Sequence, residues 1–172
     1  MIQDNTVLPG DDAPTWAHVA AQIALAARAV WQARSWPAWK EFFAENASTR
    51  TPSADTSVVT SFALHGALVT ALPQIVWRVV GGRPEKRRDE FGYHDGRGWR
   101  PHLWVVGRAD GIRLIVDITS DQFGGPDVVV TETEQAQYLA HDDVEALEFY
   151  ARQEADAVAM LLDDLADSLA AG

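Results

Sequence analysis

His102 and Asp117 stand fifteen positions apart in the stretch HLWVVGRADGIRLIVDIT. His102 opens the apolar run HLWVV, and Asp117 closes the run LIVD. Between them, Ala109-Asp110-Gly111 is a hairpin-type turn, because Asp-Gly accepts the positive φ angles that a tight hairpin imposes. Two antiparallel strands would then carry an imidazole and a carboxylate side by side. A carboxylate in that place holds the imidazole in one tautomer and stabilises its charged form, as a general base requires. The plainer reading is a structural strand histidine and a carboxylate capping backbone N–H groups at a strand end. Trp104 shares the His102 face by the two-residue strand period, as core or groove wall.

A base needs a nucleophile, and a helix start is a favourable place for one. Its free N–H groups and partial positive charge support an anionic sulfur or oxygen. Ser57 begins a helical pattern after the turn-forming loop NASTRTPSADT. Serine is also a preferred helix cap, and capping alone is the stronger account of it. Downstream, Asp121-Gln122-Phe123 follows the aspartate strand. These three serve as turn and packing residues, or Gln122 serves as a polar group beside the imidazole.

The strings HLW and DITSDQF together resemble a group of small bacterial proteins in the papain-like/transglutaminase-like superfamily of cysteine hydrolases. Its members show a His-x-Trp strand, a hairpin and an Asp-x-Thr-x-Asp-Gln-Phe motif. Upstream, the family places a cysteine at a helix start, as Cys-x-x-Thr-(Ser/Ala)-x-x-Leu. Here that string is Ser57-Val58-Val59-Thr60-Ser61-Phe62-Ala63-Leu64, and the chain has no cysteine. A looser alignment on Ala63 and Gly82 puts Val59 there instead; Ser57 agrees with Thr60, Ser61 and Leu64. The resemblance spans residues 55–125. It implies an α+β fold with a central helix on a small antiparallel sheet. It also implies acyl transfer on an amide in a protein or peptide: peptidase, deamidase or transglutaminase chemistry. Ser57 would attack, His102 would carry the proton and Asp117 would orient it, with Gln122 and Trp104 beside them. A serine hydroxyl is much harder to deprotonate than a thiol. Three alternatives stay open: a natural serine enzyme, a pseudoenzyme and a replaced cysteine. The rival from another class is a non-catalytic binding module or acidic adaptor that keeps the fold and engages a protein.

The elements that must position these residues are legible in outline. Residues 1–14 are polar and hold two prolines, which suggests a flexible arm before a single domain over 15–172. Thr15 is a candidate N-cap for an alanine-rich helix over 16–34, and WPAWKEFFAENA continues it after Pro37. A helix is expected over 57–72, and strands over 75–81, 102–108, 112–118 and 127–131. Residues 82–100 form a long polar segment with four glycines, expected to be loose and quick to exchange amide protons. One or two amphipathic helices should fill 133–169.

Composition narrows the function classes. The chain has 172 residues, 47% of them hydrophobic, and a net charge of −11, which suits one globular domain. From Glu132 onward there are eleven acids and one base, Arg152. That distribution disfavours nucleic acid as a partner. The basic cluster Arg83, Lys86, Arg87 and Arg88 is interrupted by acids and reads as a solvated loop. No apolar run reaches the length of about 18 residues that a membrane span needs. No signal peptide pattern opens the chain, so the cytoplasm is the expected location. No phosphate loop, dinucleotide fingerprint or metal-ligand spacing appears, and no cofactor or metal is expected. Oligomeric state is not legible.

Overall fold

The computed structural model describes residues 6–38, 56–83, 90–132, 135–141 and 144–171. The architecture is α+β. Helix α1 (Thr15–Val30) runs into a π-helical turn, Trp31–Ser35, and helix α2 spans Ser57–Ala71. Strands β2 (Val76–Gly82), β5 (His102–Ala109), β6 (Ile112–Asp117) and β7 (Val128–Thr131) form the main sheet with a short β1, Thr6–Val7. The sheet order is β1-β7-β6-β5-β2. A second sheet, in the order β4-β3-β8, holds β3 (Gly92–His94), β4 (Trp99–Arg100) and β8 (Tyr138–Leu139). Helices α3 (Val144–Gln153) and α4 (Ala155–Ala170) close the chain. Among the described residues no helix is long and apolar enough to cross a membrane.

The main sheet has two covered faces, and each has its own core. On one face, Val105, Leu114, Val116, Val128 and Val130 pack against α1, α2 and α4. Ala17, Ala20, Ala24 and Ala27 of α1 are almost wholly buried there. Their small side chains let the helix axis approach the sheet closely. On the other face, Trp104, Val106, Ile115 and Val129 pack against Tyr93 of β3 and Tyr138 of β8. Strand alternation divides β5 between the two cores. This is why every residue from His102 to Gly107 is buried. The β5–β6 turn has Asp110 at φ 50° and Gly111 at φ 80°, as its Asp-Gly sequence predicts.

Several elements differ from the sequence reading. Within the expected arm, Thr6 and Val7 pair in parallel with Val128 and Val129, adding an edge strand to the sheet. Thr15 is the first helical residue and Pro14 takes the cap position. Residues 36–38 are helical, and the rest of the expected second helix lies outside the described residues. So does most of the loop 46–56, and so do Lys86, Arg87 and Arg88. The segment 82–100 is a packed element in part, because β3 and β4 lie in it and Tyr93 is buried. Its glycines read as looseness, but Gly92 at φ 103° allows a backbone crossing that no side chain would fit. Residues 138–139 form a strand where a helix was expected, and the two C-terminal helices begin only at Val144.

Gly82 pairs with His102 in the β2–β5 register. A Cβ built on Gly82 would collide with the backbone of Phe91 and Gly92 and with the Leu139 carbonyl. The Gly82→Ala variant should therefore push the small sheet off the imidazole and lose about 2 kcal/mol or more of stability. Urea denaturation of the two proteins checks this.

Candidate functional site

His102 begins β5 and Asp117 ends β6, at the open end of one hairpin. The pairing of Val105 with Val116 sets their approach. Both side chains lie on the sheet face away from α2. His102 Nε2 is 2.7 Å from Asp117 Oδ2, and neither side chain is exposed to solvent. With Nε2–H donated to the carboxylate, Nδ1 is the nitrogen left to accept a proton. Gln122 occupies it: its Nε2 lies 3.4 Å from Nδ1 and donates more closely, at 3.0 Å, to the Thr119 carbonyl. The rings of Tyr93, Trp104, Phe123 and Tyr138 surround the imidazole with centroids 5.3–6.3 Å away.

The carboxylate is saturated with donors. Thr119 N–H donates to Oδ1 at 2.9 Å and the Thr119 hydroxyl at 3.2 Å. The Tyr138 hydroxyl donates to Oδ2 at 2.8 Å. Burial alone would raise the Asp117 pKa; the nearby His102 charge and the hydrogen bonds from His102, Thr119 and Tyr138 outweigh it and hold the pKa below the usual value. Burial, and then the Asp117 charge, push the Tyr138 phenol well above its ordinary value, so it remains a donor. Burial first, then Asp117 and Asp95, raise Tyr93 too. Tyr138 was not legible as part of the site. It follows the site aspartate by twenty-one residues and lies in a segment that reads as a helix.

Ser57 is the first residue of α2, buried at 8% exposure. Preceding Thr56 makes no side-chain cap hydrogen bond. One turn further along, the Ser61 hydroxyl donates to the Leu103 carbonyl at 2.9 Å, which fastens this end of α2 to the start of β5. The structure thus gathers buried His102, Asp117 and Trp104 with half-buried Gln122 into one cluster. Ser57 lies at the head of the adjoining helix, and no hydrogen bond links it to that cluster among the described residues. Trp104 Nε1 is buried beside the imidazole without a hydrogen-bond partner among the described residues.

The other histidines have local roles. His65 Nε2 lies 3.3 Å from the Trp77 carbonyl, and burial lowers its pKa against that contact. His94 Nδ1 accepts from Gly96 N–H, and His141 packs edge-on against Phe91. Among the described residues, no three His, Asp or Glu side chains are grouped so as to hold a metal ion. Compared with known proteins, the chain matches no family model, no curated protein and no solved structure at a significant level.

Chemically, the cluster can hold one imidazole in a single tautomer and stabilise it when charged. Because the folded pKa of Asp117 lies below its unfolded value of about 3.9, its contribution to stability is present above that pH. It is lost as pH falls through the folded pKa. Asp117→Asn should cost about 3 kcal/mol near neutral pH by breaking a buried pair. The gap between the two proteins should narrow below about pH 4. Urea titrations from pH 3 to pH 7 measure it. Tyr138→Phe should cost about 1–2 kcal/mol by the same assay, since it removes one donor to a buried carboxylate.

Proposed function

We propose that the chain is a papain-like/transglutaminase-like domain of the acyl-transfer type, acting on an amide of a protein or peptide in the cytoplasm. The observation that carries this reading is the buried 2.7 Å contact between His102 and Asp117. A carboxylate sunk this deeply beside an imidazole is an orienting device, and the Gln122 amide and helix start at Ser57 lie on adjoining elements. On this reading the Ser57 hydroxyl passes its proton to His102 Nδ1 as its oxygen bonds to the carbonyl carbon. His102 then returns the proton to the departing amine, and water or a second amine releases the acyl group. N–H groups in the first turn of α2 hold the oxyanion. For that proton to move, Gln122 must leave Nδ1, and the head of α2 must bring Ser57 around the end of β5 to the face that carries the imidazole.

A second reading is a non-catalytic module that keeps this core and binds a protein partner. Two observations favour it: the chain has no cysteine, and His102 is wholly buried with its second nitrogen covered. The acidic C-terminal helices would then supply the docking surface.

Ser57→Cys separates the two. Beside an imidazole and a helix start, the thiol should alkylate rapidly at pH 6, well below the ordinary thiol pKa of about 8.5. Adding His102→Gln should slow the reaction at least tenfold at that pH. A thiol that titrates like a free one and ignores His102 would remove Ser57 from the site and leave the binding module.

A further inference from the structure

One guanidinium in the helical core is tied to the site from behind. Arg28 lies in α1 with its side chain only 6% exposed. A buried guanidinium is costly unless its donors are satisfied, and those of Arg28 converge on the segment that carries the site. Its NH1 donates to the Ile118 carbonyl at 2.7 Å. The same NH1 donates to Asp121 Oδ1 at 3.2 Å, and NH2 donates to Asp121 Oδ2 at 2.7 Å, a two-pronged grip on the carboxylate. The Gln32 amide, turned so that its oxygen faces Arg28, accepts from Nε at 2.9 Å and NH2 at 2.8 Å.

The two contacts bracket the site. The Ile118 carbonyl and the Thr119 N–H are the two ends of one peptide unit. In a trans peptide they point in opposite directions. The carbonyl end is held by Arg28 and the N–H end donates to Asp117 Oδ1. The guanidinium therefore fixes the plane of the peptide that orients the site carboxylate, and polarises its N–H. Asp121 is the second residue of the same short turn, Ser120–Phe123, that carries Gln122 to His102 Nδ1. We infer that Arg28 is a positioning residue for the His102–Asp117 pair. It acts on Asp117 through the Ile118–Thr119 peptide and on His102 through the Asp121–Gln122 turn. This inference rests on the reading of that pair as working machinery and names the element that aims it.

The test compares the wild type with Arg28→Gln by NMR, following Thr119 amide exchange and the two ring nitrogens of His102. In the wild type one His102 tautomer, protonated on Nε2, should dominate. In Arg28→Gln the Thr119 amide should exchange about tenfold faster or more, and the His102 nitrogen shifts should move toward a tautomer mixture. Arg28→Lys, which keeps the charge but not the forked geometry, should fall between. A second variant, Arg28→Met with Asp121→Leu, replaces the pair by apolar groups and should recover stability. A merely structural Arg28 would let that variant recover the wild-type Thr119 and His102 signals as well; a positioning residue would not. Should Arg28→Gln fail to fold, Asp121→Asn alone must still shift the Gln122 amide and the His102 ring. Unchanged signals in a folded Arg28→Gln, or in Asp121→Asn, overturn the inference. These signals do not depend on Ser57, so a failed thiol assay at position 57 would leave them standing.

Discussion

A carboxylate without solvent contact needs partners, and much of this fold is arranged around supplying them to Asp117. Its two oxygens receive the His102 ring N–H, the Thr119 amide and hydroxyl, and the Tyr138 hydroxyl. The donors come from β5, from the segment just after β6, and from β8. Remove any of these elements and a buried charge is left with an open lone pair, which costs more than the bond itself contributes. The second core, with its aromatic rings over the sheet, is the low-dielectric surrounding in which that constraint acts.

The two faces of the main sheet do different work. The helical face is apolar and close-packed, with alanines where α1 meets the sheet. It supplies most of the burial that stabilises the domain. The opposite face is aromatic and polar-centred, and the small sheet β4-β3-β8 covers it. Arg28 and Ser61 join the two. Arg28 reaches from α1 to the backbone just past Asp117, and Ser61 ties α2 to the backbone just past His102. Each helix thereby grips the main chain one residue beyond a site residue. Such grips restrict the strand ends, where a sheet would otherwise fray.

The closed state of the imidazole shapes any chemistry attributed to it. His102 is enclosed by four aromatic rings, and Gln122 stands at its second nitrogen. Proton transfer requires an acceptor nitrogen within reach of the donor. The turn Ser120–Phe123 therefore decides whether that nitrogen is covered, since it carries Gln122. Gly124, at φ 82°, ends that turn in a left-handed conformation, and its N–H closes back on the Asp121 carbonyl.

Local physics made part of this protein legible from its sequence. Alternation and the Asp-Gly turn were sufficient for the β5–β6 hairpin and for the meeting of His102 with Asp117, because both ends of that contact lie in one hairpin. Alanine density and turn-former clusters sufficed for α1 and α2. The remaining donors to the site came from tertiary structure. Tyr138 arrives through a two-residue strand too short to show a period, set in a stretch whose acids and leucines favour a helix. The segment 82–100 reads as loose because its glycines read as freedom. Two of them, Gly82 and Gly92, are instead sites of close backbone approach, which only the crossing of β2 and β3 demands, while Gly96 and Gly98 stand in open space. Arg28 is one basic residue in an amphipathic helix, and nothing in its neighbours signals burial. Its partner Asp121 lies ninety-three residues away, and contacts at that separation leave no local pattern for a sequence to display.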